Sequence, residues 1–317
     1  MKWMTELHPV MHFDCASIRE IDEVLPLVKP NRIIYAQPCK KQEDITIANT
    51  KGIDVTVTDS VEEMNKLHTW KGSVLIRLLV SDTGSKQPFG KKFGAPLEWV
   101  PEICKTAKRL HKTIAGFSFH VGSECQQPNQ YSEALDMCKE ASNIAKDYGF
   151  KTTTVDIGGG FLPDEDSFRA VAEHVTTSQK KHFPHVRMIA EPGRFLVAPT
   201  HTLYTTVIGK KPVYPPPKKD NDPKWRITID ESVYGSFSNI PFDHQTPKFE
   251  QTILTDTPQR PTIIFGRTCD SGDCIGDDIP LRDVDVGDVL RIPDMGAYTT
   301  VTASEFNGFP KPTKIYE

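Results

Sequence analysis

No run of about eighteen apolar residues occurs in the chain, and its start, MKWMTELHPVMHFDCAS, holds neither an apolar core of roughly seven residues nor a small-residue cleavage pattern. A membrane span and a secretory leader are not expected, and the cytoplasm is the expected compartment. No Cys-x-x-Cys pair is present. The seven cysteines (Cys15, Cys39, Cys104, Cys125, Cys138, Cys269, Cys274) are scattered and odd in number, which argues against a disulfide framework and a zinc site and for thiols in a reducing environment. No block of like charge appears either: 38 Lys plus Arg against 42 Asp plus Glu leave a net charge of −4, which nominates no nucleic-acid or membrane partner. The dinucleotide fingerprint G-x-G-x-x-G is missing, and there is no solenoid repeat.

What is present is an ordinary globular composition, 38% apolar and 25% charged over 317 residues, enough for two domains. Seven short β-branched or apolar runs lead the chain: His12–Cys15, Arg32–Ala36, Ile53–Thr58, Ser73–Val80, Ile114–Val121, Thr152–Ile157 and Val186–Ala190. Between them lie stretches of helical spacing, the pattern of parallel strands joined by crossover helices. Ser17 with Glu20 and Ser60 with Glu63 have capping-box spacing and mark two helix starts. A closed (β/α)8 barrel needs eight strands, so seven, the first of them close to Met1, predict a barrel without its first strand and helix. An open doubly wound sheet is the competing architecture.

Beyond Pro199 the pattern changes to Thr-, Val- and Ile-rich runs (Thr202–Gly209, Trp225–Ile229, Thr262–Phe265, Val289–Ile292, Thr299–Ala303) separated by Pro, Gly and Asp. An antiparallel, barrel-like β domain is expected over residues 201–317, after an α/β domain over 1–200. The breaker-rich segment Lys210–Pro223 is expected to form neither a central strand nor a helix.

Three polar clusters fall where strands end. Asp156-Ile157-Gly158-Gly159-Gly160-Phe161 would let the backbone approach an anion and offer it successive N–H groups; a tight turn needing positive φ is the plainer alternative. Glu191-Pro192-Gly193-Arg194 places a carboxylate and a guanidinium at the next strand end, as an anion site or as a turn with a surface pair. His120-Val121-Gly122-Ser123 is the third. Their convergence on one rim carries more weight than any one of them. Asp243, Tyr298 and the segment Arg267–Asp273, with Cys269 and Asp270, mean little in isolation.

In order and spacing, FDCAS (13–17), RIIYAQPCK (32–40), SFHVGS (118–123), DIGGGF (156–161), EPGR (191–194), VYGSF (233–237), Cys269-Asp270 and GAYT (296–299) resemble eukaryotic-type ornithine decarboxylase across nearly the whole chain. That family consists of fold-type III pyridoxal 5′-phosphate enzymes with a (β/α)8 barrel, a C-terminal β-barrel-like domain, and a homodimer whose active sites are shared between subunits. The resemblance implies that Glu191 pairs with the pyridine nitrogen, that His120 stacks on the ring and that Arg77 supports the cofactor. It assigns the phosphate to Ser123, Gly158, Gly159, Gly160, Gly193, Arg194 and Tyr298. Asp243 and Asp270 would take the substrate's distal ammonium, and Cys269, from across the dimer, would return a proton to the α-carbon. Lys92 and Asp273 resemble an intersubunit ion pair. A third reading, an alanine-racemase-like member of the same superfamily, is disfavoured by the Cys269–Asp270 pair and the GAYT context.

Two departures shape the functional expectation. The family's Schiff-base lysine lies upstream of FDCAS, at a point that falls before Met1, and Lys2 has neither a preceding strand nor the right spacing. Phe242 stands where tyrosine is common, which leaves ornithine against lysine open. The expectation is an N-terminally truncated ornithine decarboxylase, inactive as the polypeptide written here. The alternative is a noncatalytic regulator that binds antizyme through Ser17–Gly52 or pairs with an active subunit.

Overall fold

The computed structural model describes residues 2–219, 222–253 and 255–316. The chain divides into two compact units, Met1–Pro192 and Gly193–Glu317; the sequence pattern had put the change at 200/201.

In the first unit a short helix α1 (Lys2–Leu7) precedes an alternation of strands and helices. The order is β1 (Phe13–Cys15), α2 (Ile18–Val24), β2 (Ile33–Tyr35), α3 (Gln42–Thr50), β3 (Val55–Thr58), α4 (Val61–Lys66), β4 (Ser73–Arg77) and β5 (Ser85–Gln87). Then come α5 (Val100–Arg109), β6 (Thr113–Ser118), β7 (Ser123–Cys125), α6 (Asn129–Asp147), β8 (Thr154–Asp156), α7 (Glu165–His182) and β9 (Arg187–Ile189). Seven of the strands form one parallel sheet in the order β1-β2-β3-β4-β6-β8-β9, while β5 and β7 make a small antiparallel ribbon. Every neighbouring pair in the large sheet is parallel, and α2 packs on α3, α4 on α5, α5 on α6 and α6 on α7. This is a curled sheet, a partial TIM barrel. Val74, Leu75 and Ile76 of β4 are all fully buried, as expected of a strand covered on both faces.

Local signals set the helix starts. Ser17 Oγ accepts from Glu20 N at 3.2 Å, and the Glu20 carboxylate accepts from Ala16 N at 2.6 Å, so the box closes one residue before the cap. Ser60 Oγ likewise accepts from Glu63 N at 3.2 Å. The Glu63 carboxylate, however, pairs with Lys40 and Lys66, at 2.9 and 2.5 Å. The edge strands β1 and β9 meet through side chains: Arg187 Nη2 lies 3.1 Å from His12 Nε2. Burial and Arg187 push His12 below the usual imidazole range, which keeps it neutral and able to accept.

The second unit opens with α8 (Gly193–Val197) and continues through β10 (Leu203–Pro212), β11 (Trp225–Ile229), α9 (Asn239–Asp243), β12 (Glu250–Gln251), β13 (Arg260–Phe265), β14 (Cys274–Leu281) and β15 (Val289–Ile292). Its sheet runs β12-β15-β10-β11-β13-β14 over a core that includes Val207, Ile227, Phe237, Ile264 and Leu290.

Four features differ from the sequence expectation. The sheet is mixed, because β11 and β13 run parallel. Cys274–Leu281 is a strand, and it lies at the edge of the sheet, where Asp277, Asp278 and Pro280 are tolerated. Thr299–Ala303 is no strand: Thr299 Oγ1 donates to Met295 O at 2.7 Å and Thr302 Oγ1 to Tyr298 O at 2.9 Å, local bonds that favour turns. Within Lys210–Pro223, of which residues 220 and 221 lie outside the described residues, β10 continues to Pro212. There it pairs with β11 alone, so the proline breaks no second ladder.

Candidate active site

The parallel register brings several polar side chains to one level. Arg77 at the end of β4 pairs with Ser118 at the end of β6, Ser118 with Asp156 at the end of β8, and Asp156 with Ile189 of β9. Glu191 follows two residues later, and Asp14 sits in β1. Asp156 is 1% exposed, while His120, Arg77 and Glu191 are partly accessible. The curled sheet therefore gathers polar side chains at its carboxyl rim, the end at which barrel enzymes place their chemistry.

Three acids crowd this rim. Burial raises Glu191 well above the usual carboxylate range, helped by Asp156 and Asp14 and by a hydrogen bond with Asp156, while Arg77 opposes. Asp156 is raised by burial too, against the bond its Oδ1 accepts from Gly158 N at 2.9 Å. Its Oδ2 is buried with no donor, as expected of two carboxylates that share a bond only when one of them carries a proton. Asp14 is raised by loss of water and by Asp156. A proton held among these groups, with Arg77 beside them, removes the like-charge conflict.

Burial pushes His120 down to about 3, with Arg77 adding to the effect, so the ring is neutral. Its Nδ1 accepts from Gly122 N at 3.0 Å, which puts the ring proton on Nε2. Phe89 packs against the ring, with centroids 4.8 Å apart.

The glycine turn is compulsory at two positions. Gly158 has φ +64 and a Cβ there would lie 2.3 Å from Phe119 O; Gly160 has φ +97 and a Cβ would lie 2.4 Å from Gly122 O. Tyr131 OH donates to Gly159 O at 2.8 Å, and Cys125 N to Gly160 O at 2.9 Å. These bonds tie the turn to α6 and to the β5–β7 ribbon, where Ser123 is buried. A flat imidazole, a carboxyl whose proton affinity is raised and a close-packed glycine turn fit a phosphorylated nitrogen heterocycle.

No lysine figures among the charged groups that act on Glu191, Asp156, His120 or Arg77. The buried Lys40 is engaged elsewhere: its Nζ donates to Gln37 O at 2.8 Å and Val57 O at 2.7 Å and pairs with Glu63.

In the second unit, Gly193 opens α8 and Arg194 follows it, buried. Arg194 Nη2 lies 2.5 Å from Asp243 Oδ2, and its guanidinium carbon is 5.1 Å from the centre of the Tyr298 ring. Cys269 is exposed, and its N–H donates to Asn307 Oδ1 at 3.1 Å. Tyr234 OH donates to Asp270 Oδ2 at 2.5 Å; with the Gly272 N–H, this bond holds the Asp270 carboxyl below the usual range. Asp273 is 1% exposed and accepts from Ser232 Oγ, Val233 N, Thr268 N and Thr268 Oγ1 at 2.6–3.0 Å. Four donors fill its acceptor positions, so this carboxylate anchors the loop that carries Cys269.

Sequence reasoning gave no role to Asp14, Asp156, Tyr234 or Asn307. The first two stood in the quoted motifs, and their position at strand ends was the available signal. Tyr234 stood in the quoted VYGSF motif as well, but its partner Asp270 is distant in sequence, and Asn307 gave no signal for the same reason.

A family profile described as "Pyridoxal-dependent decarboxylase, pyridoxal binding domain" matches residues 1–198. The chain belongs to the pyridoxal-dependent ornithine, lysine and arginine decarboxylase family. It is 36% identical over 319 residues to a probable ornithine decarboxylase of Dictyostelium discoideum, covering 96% of this chain and 69% of that protein. It is equally 36% identical to antizyme inhibitor 2 of Xenopus laevis, covering 96% and 70%. The crystal structure of the Paramecium bursaria Chlorella virus arginine decarboxylase bound to agmatine superposes with a TM-score of 0.89 at 34% identity, covering 98% of this chain and 83% of that one. This decarboxylase family thus includes relatives named for different amino acids and one named antizyme inhibitor 2. No helix among the described residues is long and apolar enough to cross a membrane.

Proposed function

We propose that this chain binds pyridoxal 5′-phosphate and serves the decarboxylation of ornithine to putrescine. The observation that carries the reading is the convergence of Arg77, His120, Asp156, Glu191 and the glycine turn on one strand-end rim. The bound cofactor supplies the electron sink for the charge left on the α-carbon when carbon dioxide departs.

The residues then have separate tasks. Glu191 holds a proton for the ring nitrogen, and Asp156, fixed by the Gly158 N–H, shares it. His120 offers a flat uncharged face, which Phe89 keeps in place. Arg77 balances the acids, and Ser123, Gly158, Gly159, Gly160, Gly193, Arg194 and Tyr298 serve the phosphate. Asp270, kept ionised by Tyr234, and Asp243 take the distal ammonium, two carboxylates suited to a compact cation. Cys269, exposed on its loop, returns a proton to the α-carbon, supplied across a homodimer. The seven cysteines, all free, suit a reducing cytoplasm.

A second reading is a noncatalytic, antizyme-binding or subunit-pairing homologue. It is favoured by the likeness to antizyme inhibitor 2 and by the lack of a lysine, among the described residues, in the charges that act on the rim cluster. One experiment tests the cofactor reading: the 317-residue polypeptide is mixed with pyridoxal 5′-phosphate and carboxyl-labelled ornithine, then reduced with borohydride. The expected result is saturable cofactor binding without a stoichiometric lysine adduct and with little carbon dioxide release. Release should rise when a full-length family member is added as pairing partner. A stoichiometric adduct on this polypeptide would show that one of its own lysines serves the cofactor.

A further inference from the structure

Residues 88–94, between β5 and α5, make a single turn in which Lys92 N and Phe93 N both donate to Phe89 O, at 3.0 and 3.2 Å. Phe89 and Phe93 stand on it at the spacing that puts two side chains on one side of a helical turn. Each meets a side chain of the rim. Phe89 packs on the His120 ring, centroids 4.8 Å apart, and the Arg77 guanidinium carbon lies 4.8 Å from the centre of the Phe93 ring. We propose that Asp82 is a positioning residue that holds this turn and, through Phe89, sets the tilt of the His120 ring for the cofactor, a role that rests on the cofactor reading above.

One oxygen of Asp82, Oδ2, accepts from two successive backbone donors, Phe89 N at 2.6 Å and Gly90 N at 2.7 Å. These are the first donors of the turn, which its own bonds leave unused, and bonds to a carboxylate are the stronger kind. The far end is stitched to the sheet. Asp59, just after β3, accepts from Gly94 N at 2.9 Å; Ala95 N donates to Arg77 O, and Leu79 N to Ala95 O, each at 2.8 Å. Gly94 is compulsory there, with φ +109 and a Cβ that would lie 2.6 Å from Leu79 Cα. At the near end, where Phe89 stands, the hold is the Asp82 carboxylate.

For His120, the bond from Gly122 N to Nδ1 fixes one edge of the ring, and Gly159 lies against another: a Cβ there would be 3.0 Å from Nε2. Two edge contacts leave the ring a swing about the line that joins them. Phe89, packed at an interplanar angle of 57°, stops it. A ring face fixed beforehand spares the bound state the cost of ordering it.

The test reads His120 directly. The chain is prepared with isotope-labelled histidine, the His120 ring-proton signals are assigned by their loss in His120→Asn, and pyridoxine 5′-phosphate, which carries the ring and phosphate without the aldehyde, is titrated by calorimetry. Asp82→Ala and Phe89→Leu should move the His120 signals in the same direction, because both take the Phe89 ring current away. Each should weaken pyridoxine 5′-phosphate by about three- to tenfold, the scale of one aromatic contact. Asp82→Asn, whose amide oxygen can accept both N–H groups, should return the signals and bring the affinity within about twofold of the unaltered chain's. Should Asp82→Ala fold poorly, Asp82→Ser, shorter and uncharged, is read in the same way. A lower melting temperature with the His120 signals unmoved makes Asp82 a structural residue and overturns the proposal, as do moved signals with unchanged affinity; both leave the cofactor reading intact. No binding of pyridoxine 5′-phosphate to the unaltered chain overturns the cofactor reading, and with it the purpose of the tilt.

Discussion

Glu191→Ala should weaken pyridoxal 5′-phosphate binding by about tenfold to a hundredfold while leaving the chain at least as stable as before. The first half follows from a charge-assisted hydrogen bond, about 1.5–3 kcal/mol when lost, at about 1.4 kcal/mol per tenfold. The second half follows from crowding. Glu191, Asp156 and Asp14 all have raised carboxyls, so the folded chain holds protons that the unfolded chain releases. Their stabilising contribution is complete below the unfolded values, about 3.8 to 4.5, and is lost as pH climbs through the raised ones. Glu191→Ala removes one member of the trio, so its advantage in melting temperature should be absent near pH 4 and grow toward pH 8. Cofactor affinity by fluorescence quenching and melting curves at several pH values check both halves. A variant that melts early yet binds the cofactor normally would make Glu191 a structural residue.

Asp273→Ala should be the most destabilising single change in the second unit, at about 3–5 kcal/mol. The Ser232 and Thr268 hydroxyls can turn to other acceptors. The Val233 and Thr268 backbone N–H groups cannot, and their partner carboxylate is 1% exposed. A loss of that size corresponds to a fall of about 10–20 °C in melting temperature for a unit of this length. Asp270→Ala, three residues away, should leave the melting temperature within about 1 °C, since its carboxylate bonds only Tyr234 and Gly272 at the loop surface. Differential scanning calorimetry of the two variants side by side decides it; equal melting temperatures would remove Asp273 from its anchoring role.

Much of the first unit is legible locally, because a parallel strand buried on both faces reads as a short apolar run and a capped helix announces its first turn. Ser17 and Ser60 show this directly. The second unit is harder. Its edge strand Cys274–Leu281 carries Asp277, Asp278 and Pro280, which local reading takes for a loop, and its Thr299–Thr302 hydroxyls bond carbonyls close by where the pattern suggests a strand. The parallel pairing of β11 with β13 cannot be read from either strand alone, since pairing depends on chain far apart in sequence. The same holds for the site. His120, Glu191 and the glycine turn stand at visible strand ends. The sharing of a proton by Asp156 and Glu191 and the grip of Tyr234 on Asp270 depend on contacts over 35 and 36 residues.

The most direct measurement of the central claim is a crystal structure of the chain grown with pyridoxal 5′-phosphate. The account predicts the pyridine nitrogen against the Glu191 carboxyl, the ring face on His120, and phosphate oxygens on the N–H groups of Gly159 and Gly160. A cofactor bound away from the β4–β9 strand ends, or none at saturating concentration, would contradict it.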